Sequence, residues 1–318
     1  MIFRVLKTDL LSGFFIFIFS AVWFLFFIWI ESSIGLGPGE AHIDETTYLN
    51  SNITGYYIGN YFYKVVSLVY YEIIYVLLYN FVLYTFVNIM VFFLLKKFVF
   101  RDLFVFIIFL FFLIDPYRTH LATHVLKDTT IIFLVFLMVS FNTRASILGL
   151  FCAILFRLAS PLYFLARFKF GKIFILLAIF FLFLVIYIFP EFFTYLLLGG
   201  NEDMQFRVYD EVPTFNSYGL LGDFARAAIW PILTISGTFF LISPAPLFFP
   251  IFFTVIISQL LCYRITKKCA FSFGVYAAMG GFALLTPGFT TYVRYVYPLL
   301  CVLPIIVILN YGKKLYAK

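Results

Sequence analysis

Residues 103–142 of the chain are LFVFIIFLFFLI DPYRTHLATHVLKD TTIIFLVFLMVSFN, in which two apolar runs flank a polar stretch at 115–128. The apolar runs are continuous rather than alternating, which favours membrane helices over membrane β-strands. Asp115 is a good helix N-cap, and Pro116 suits the first position of a helix. We therefore predict a helix that begins at Pro116 and continues to Ser140, with its polar first turns at a membrane surface.

The composition of the whole chain also indicates a membrane protein. Of the 318 residues, 64% are hydrophobic and only 12% are charged, whereas soluble domains are about half apolar and about a quarter charged. This excludes a soluble enzyme and a soluble nucleic-acid-binding protein. The net charge of +7 does not imply a nucleic-acid partner, because membrane proteins carry surplus Lys and Arg on their cytoplasmic loops.

Ten apolar runs, separated by polar or Pro-containing breaks, cover most of the chain. They lie near 9–30, 73–95, 103–114, 129–142, 145–166, 173–189, 227–243, 247–263, 270–285 and 295–310. We predict an all-α polytopic integral membrane protein that forms a single domain, residues 1–318, with about eight transmembrane helices. The runs 145–166 and 227–243 fit re-entrant or interfacial segments; if both crossed the membrane, the number of crossings would be about ten.

Basic residues set the predicted orientation, because Lys and Arg concentrate on the cytoplasmic side of membrane proteins. The basic clusters lie at 96–101, 144, 167–172, 264–268 and 313–318. Placing them inside puts both termini in the cytoplasm and leaves outer loops at about 31–71, 115–128 and 190–226. Most acidic residues then lie outside, which indicates chemistry on the outer face of the membrane.

The first outer loop carries adjacent carboxylates, Asp44 and Glu45, shortly after a Gly/Pro-rich stretch at 35–39. Two carboxylates at a membrane surface suit a general base that deprotonates an incoming hydroxyl, or a cation site. The alternative is an ordinary solvated loop. We assign Asp44 as the candidate catalytic base, Glu45 as the second candidate, and Tyr48 as a substrate contact.

The polar stretch carries His120, His124 and Lys127 at spacings that share one face of the predicted helix, with Asp128 at the edge of that face. Arg118 projects from the other side of the first turn. Such a face suits a phosphate or pyrophosphate, and His-x-x-x-His also has metal-ligand spacing. Interfacial charges that extend toward water are the third interpretation. We predict substrate binding and no cofactor, with a divalent metal as the open alternative.

Three isolated arginines complete the predicted substrate-binding set. Arg157 lies inside an apolar run, where a charge is costly and usually functional. Arg226 immediately precedes the run at 227–243, and Arg294 lies at the predicted outer end of the last helix. The alternative for Arg294 is an anchor within an interfacial belt of tyrosines.

Short motifs in this chain resemble those of known membrane enzymes. Asp44-Glu45-x-x-Tyr48, just after the first helix, resembles the acidic motif of the C-fold membrane glycosyltransferases, the GT-C superfamily. The run RYVYP, which begins at Arg294, resembles a motif near the end of that family's membrane domain. The Phe-, Ile- and Leu-rich, short-looped chain and the triplet that ends at Asp128 resemble bacterial O-antigen and capsule repeat-unit polymerases.

This resemblance implies a glycosyltransferase of the bacterial cytoplasmic (inner) membrane with a polyprenyl-(pyro)phosphate-linked oligosaccharide as donor. Within that class it implies an O-antigen or polysaccharide repeat-unit polymerase in contact with membrane lipid. Chain-length regulator and flippase proteins are then the expected protein partners. A transporter or flippase of lipid-linked oligosaccharides is the alternative, and it would favour an internal repeat, which the sequence does not show. A structural membrane protein is third.

Overall fold

The computed structural model describes residues 7–39, 73–99, 102–140, 143–157, 159–166, 188, 219–236, 256–267, 272–286 and 289–315. These residues are almost entirely helical and contain no β-strand, so the all-α prediction is confirmed for this part of the chain. The helices are α1 (Lys7–Ser33), α2 (Ile73–Val99), α3 (Leu103–Leu113), α4 (Pro116–Thr123), α5 (Asp128–Ser140), α6 (Thr143–Phe156), α7 (Pro161–Leu165), α8 (Gly219–Ser236), α9 (Ser258–Thr266), α10 (Phe273–Leu285) and α11 (Phe289–Leu315).

Several of these helices suit a membrane. Within the described ranges, four segments are long and apolar enough to cross one: Asp9–Ser33, Ile73–Val99, Leu103–Thr123 and Thr291–Asn310. Helix α1 also exposes large apolar side chains, among them Leu25 and Trp29, as a lipid-facing helix would. Eight crossings stay a prediction, since the run at 173–189 lies almost wholly outside the described residues.

The start of α4 is as predicted. The Asp115 carboxylate accepts hydrogen bonds from the backbone N–H groups of Tyr117 at 3.0 Å and Arg118 at 3.3 Å. Pro116 occupies the first turn, where its missing N–H costs nothing. The same carboxylate accepts a hydrogen bond from the Tyr297 hydroxyl at 2.6 Å. The N-cap therefore also joins α4 to α11.

The prediction of one helix from Pro116 to Ser140 is wrong. Helix α4 ends at Thr123, and His124 adopts an extended backbone with φ −109° and ψ 163°. The Asn80 side chain, on α2, donates a hydrogen bond to the His124 carbonyl at 2.8 Å. Because a neighbouring helix satisfies this carbonyl, the chain can leave the helix here and start α5 at Asp128.

Two other apolar runs differ in their boundaries from the sequence prediction. The run at 145–166 contains two helices, because α6 ends at Phe156 and α7 begins at Pro161. The Ser160 hydroxyl donates to the Ala153 carbonyl at 3.0 Å across this break. The run predicted to begin at 227 belongs to α8, which begins earlier, at Gly219, and so extends into the predicted loop 190–226.

Helices α5 and α6 form a tightly packed pair that positions the polar residues described below. A Cβ atom added at Gly149, on α6, would lie 3.1 Å from the Leu134 carbonyl oxygen and 3.2 Å from side-chain atoms of Leu137 and Met138, all on α5. The absent side chain thus allows α6 to approach the backbone of α5. The pair places Asp128, at the start of α5, beside Arg157, just past the end of α6.

Helix α11 lies at the centre of the described bundle. It packs against α2, α3, α5, α9 and α10. Its side chains Val293, Val296, Leu299 and Leu300 are fully buried in the main apolar core. Any polar residue on the first half of α11 is therefore held between several helices, which applies directly to Arg294.

We predict that Gly149→Ala lowers the melting temperature of the detergent-solubilised protein and that Gly149→Val lowers it more. Overpacking a well-filled contact costs about 1–3 kcal/mol, because neighbouring backbone must move. Gly13→Ala is the matched control, since its added Cβ would lie 3.7 Å from the Phe93 ring, an ordinary contact. If the Gly149 and Gly13 variants melted alike, close packing of α5 on α6 would be contradicted.

Candidate functional site

Two arginines converge on one buried carboxylate, and we call these three residues the arginine–aspartate centre: Asp128, Arg157 and Arg294. Arg157 Nη2 donates to Asp128 Oδ1 at 2.7 Å. Arg294 donates to Asp128 Oδ2 through Nε at 2.8 Å and through Nη2 at 2.6 Å. The centre therefore joins the start of α5 and the end of α6 to α11.

Aromatic residues fix the position of Arg157. Its Nη1 donates to the Tyr163 hydroxyl at 3.1 Å, and that hydroxyl donates in turn to the Tyr295 carbonyl. Its guanidinium carbon also lies 3.9 Å from the centroid of the Tyr295 ring. A guanidinium held by a carboxylate, a hydroxyl and a ring face loses little further entropy when it binds a ligand.

The electrostatics of the centre are unusual for an apolar bundle. The Asp128 side chain is 0% exposed and that of Arg157 is 4% exposed, whereas Arg294 is 19% exposed. The guanidiniums of Arg294 and Arg157 lie beside the Asp128 carboxylate and favour its ionised form. With the carboxylate ionised, the three groups together carry one positive charge. An anion that approached Arg294 would meet this charge in a poorly solvated setting.

A second group of polar residues, which we call the glutamate–histidine cluster, contains Glu31, His120 and His124. His120 Nδ1 lies 2.5 Å from Glu31 Oε1, and His124 Nε2 lies 3.3 Å from Glu31 Oε2. The Thr123 hydroxyl donates to Glu31 Oε2 at 2.7 Å. All three members of the cluster are buried. The end of α1 is thereby joined to α4 and to the turn that follows it.

Arg118 lies against α2. Its Nη2 donates to the Asn88 side chain at 2.6 Å, and its guanidinium carbon lies 4.4 Å and 4.0 Å from the ring centroids of Tyr84 and Phe112. Asn88 in turn donates to the Ser20 hydroxyl on α1 at 2.9 Å. Arg118 therefore links helices, and it is 2% exposed.

The remaining predicted residues are more dispersed. Lys127 is half-buried in the turn between α4 and α5. Arg226 is buried on α8, where its Nη1 donates to the Thr286 carbonyl at 3.4 Å and its guanidinium carbon lies 5.6 Å from the Trp230 ring centroid. Asp44, Glu45 and Tyr48 lie outside the described residues.

The structure thus divides the predicted substrate-binding set into groups. It brings Arg157 and Arg294 together at Asp128, and it places the two histidines at Glu31. The break after α4 explains the division, because Asp128 no longer continues the helical face that carries His120. The binding roles of all these residues stay predictions.

Sequence reasoning did not select two residues that the structure places in these groups. Glu31 was only one acid among many in the outer loops, although its position at the end of the first apolar run was a usable signal. Tyr163 carried no signal, because its contact with Arg157 depends on the break between α6 and α7.

Comparison of the chain with protein-family models, with curated proteins and with solved structures finds no match. Its function is therefore inferred from its own residues and their geometry.

We predict that Asp128→Asn strongly destabilises the protein. It leaves two largely buried guanidiniums without their carboxylate, and breaking a buried ion pair from one side costs about 3–5 kcal/mol. Asp102→Asn is the matched control, since Asp102 caps α3 through Phe104 N–H at 2.8 Å and asparagine caps about equally well. Thermal unfolding in detergent measures both. Equal melting temperatures for the two variants would contradict a structural role of the centre.

Proposed function

We propose that the protein is a membrane glycosyltransferase that uses a polyprenyl-(pyro)phosphate-linked sugar donor. The arginine–aspartate centre carries this proposal. A donor of this kind leaves as a lipid phosphate, and planar guanidiniums are the side chains best suited to bind phosphate oxygens in pairs. The arginine–aspartate centre supplies two preorganised guanidiniums within an apolar helix bundle, where a lipid-linked phosphate could meet them.

The details of the centre favour a ligand with negative charge. Asp128 holds both guanidiniums in place, and Arg294 is the member that reaches a more open surface. Arg157 Nε is buried and has no hydrogen-bond partner among the described residues, so it keeps a donor for a further acceptor. Preorganised donors aimed at developing charge are commonly the largest contribution to catalysis.

The proposed reaction moves the anomeric carbon of the donor sugar from phosphate oxygen to an acceptor hydroxyl. The bond between sugar and phosphate breaks, and its electrons leave with the lipid (pyro)phosphate toward Arg157 and Arg294. The acceptor oxygen forms the new glycosidic bond and gives its proton to Asp44, or to Glu45. Asp44 follows the end of α1 by eleven residues, which span at most about 36–40 Å, so it can reach the same end of the bundle.

Within this class we propose an O-antigen or polysaccharide repeat-unit polymerase of the bacterial inner membrane. The resemblance of the Asp44 and Arg294 motifs supports this assignment. The acidic and basic residues in the predicted outer loops also support it. The predicted eight crossings and the predicted partner proteins belong to this proposal. The polyprenyl-linked oligosaccharide is the substrate, with membrane lipid around it.

A flippase of lipid-linked oligosaccharides is the second candidate. The specific observation in its favour is the number of buried charged side chains within the described bundle, which exceeds what the sequence indicated: Asp9, Glu31, Asp115, Arg118, Asp128, Arg157 and Arg226. Intramembrane charges commonly mark a transport path. Purified protein with lipid-linked repeat units separates the two functions, because a polymerase makes a product ladder and a flippase only translocates its substrate.

We predict that Arg294→Ala abolishes most polymer formation by purified protein, and that Arg294→Lys restores only part of it. A charge-assisted hydrogen bond is worth about 1.5–3 kcal/mol, and lysine lacks the planar fork that meets two phosphate oxygens. Product ladders from lipid-linked repeat units measure the effect.

The matched control for Arg294 is Arg264→Ala. Arg264 lies on α9, where its guanidinium carbon is 4.4 Å from the Phe104 ring centroid, and it belongs to the predicted cytoplasmic cluster. We expect this variant to keep wild-type activity at equal protein level. An Arg294→Ala variant that folds and polymerises as well as wild type would overturn the phosphate role of the centre.

We predict that Asp44→Asn keeps normal expression and membrane insertion while activity falls by about 10²–10⁴, the usual worth of a positioned general base. The amide preserves the shape of the side chain and removes the basic oxygen. The measurement is the rate of ladder formation at matched protein level. Near-normal rates would exclude Asp44 as the general base and would leave Glu45 as the candidate.

A further inference from the structure

The geometry points to a metal site formed by Glu31, His120 and His124. These residues would bind a divalent transition-metal ion, with Zn²⁺ as the best candidate. This inference goes beyond the proposed function and does not depend on it. Three potential ligand atoms, one from each residue, all lie within 4.8 Å of one another, and all three residues are buried. They come from two elements that are far apart in sequence.

The distances suit a tetrahedral ion. Nitrogen and oxygen ligands lie about 2.0–2.2 Å from Zn²⁺, which places them roughly 3.3–3.5 Å from each other. The distance between His124 Nε2 and Glu31 Oε2 is 3.3 Å, as such a site needs. His120 Nδ1 lies 2.5 Å from the other carboxylate oxygen, Glu31 Oε1, so this imidazole would leave that contact to share an ion with Glu31 Oε2 and His124 Nε2.

The local backbone keeps both imidazoles at the same carboxylate. His120 lies in the last turn of α4, and the chain becomes extended at His124. The two rings are nevertheless neighbours, with centroids 4.5 Å apart and planes at 61°. The hydrogen bond from Asn80 to the His124 carbonyl holds the turn in this conformation.

A supporting hydrogen bond orients the carboxylate. The Thr123 hydroxyl donates to Glu31 Oε2 at 2.7 Å and also lies 3.0 Å from the His120 carbonyl. Residues of this kind around a metal site commonly change its affinity by about 10–100-fold. The cluster therefore has ligands and a residue that positions one of them.

Charge also favours a cation. The carboxylate supplies a negative charge and the imidazoles, as ligands, supply neutral nitrogens, so the three groups suit a cation. A divalent ion held by them leaves a net charge of +1, which an anion in a further coordination position would neutralise. Two histidines and one glutamate leave the fourth tetrahedral position open, which is the pattern of zinc sites that bind a further small ligand. Imidazole nitrogens select transition metals over Mg²⁺ and Ca²⁺.

Metal binding to the purified full-length protein tests this site directly. The protein is stripped with a chelator and titrated with Zn²⁺ against a chromophoric competitor, and Co²⁺ is used as a spectroscopic probe. We expect a tetrahedral Co²⁺ absorption band and a rise in melting temperature with Zn²⁺, as binding to the native state requires. His120→Ala, His124→Ala and Glu31→Gln should each weaken Zn²⁺ binding by more than about tenfold and abolish the band.

Two further variants keep the test decisive if a ligand variant fails to fold. Thr123→Val retains all three ligands and should weaken binding by about tenfold. Asp9→Asn changes a carboxylate at the other end of the same helix, where Asp9 pairs with Lys96, and should bind Zn²⁺ like wild type. Absence of the Co²⁺ band and of Zn²⁺ stabilisation in wild type would overturn the inference. Equal affinity in wild type and in the folded Glu31, His120, His124 and Thr123 variants would also overturn it.

Discussion

The buried carboxylate of Asp128 is the constraint on which the described structure depends most. It accepts hydrogen bonds from two guanidiniums that arrive on different elements, the end of α6 and the first half of α11. Neither arginine can be buried in an apolar bundle without this partner, and the carboxylate cannot be buried without them. The packing of α5, α6, α7 and α11 therefore has to satisfy one electrostatic requirement as well as many apolar contacts.

The polar residues form neighbouring groups rather than one continuous site. The Tyr117 ring packs between His120 and Tyr297, with centroid distances of 6.1 Å and 4.7 Å respectively. Tyr297 in turn donates to Asp115. Aromatic packing therefore connects the glutamate–histidine cluster to the Asp115 N-cap.

The sequence predicted local features of this fold well and long-range pairings poorly. The Asp115 cap and the helical nature of the apolar runs follow from local rules, and the structure confirms the cap and the helicity of those runs that it describes. The break at His124 has no local cause, since no Gly or Pro lies there, and it depends on a side chain of α2. The pairing of Arg294 with a carboxylate 166 positions away depends on the complete bundle. The position of Arg157 inside an apolar run indicated a functional residue, but it did not indicate which residue Arg157 contacts.

Helix α5 is shorter than the hydrocarbon layer is thick, and this determines how deep Asp128 lies in the membrane. Helix α5 has 13 residues and is about 20 Å long, whereas the hydrocarbon layer is about 30 Å thick. If the end of α5 at Ser140 lies at the cytoplasmic interface, Asp128 lies about 10 Å below the opposite boundary of the hydrocarbon. Dissolved salt does not penetrate to that depth, and charges there are screened far less than charges at a surface. Attraction between Arg294 and an anion would then persist at ionic strengths that abolish ordinary surface binding, and the anion would have to leave the water layer to experience it.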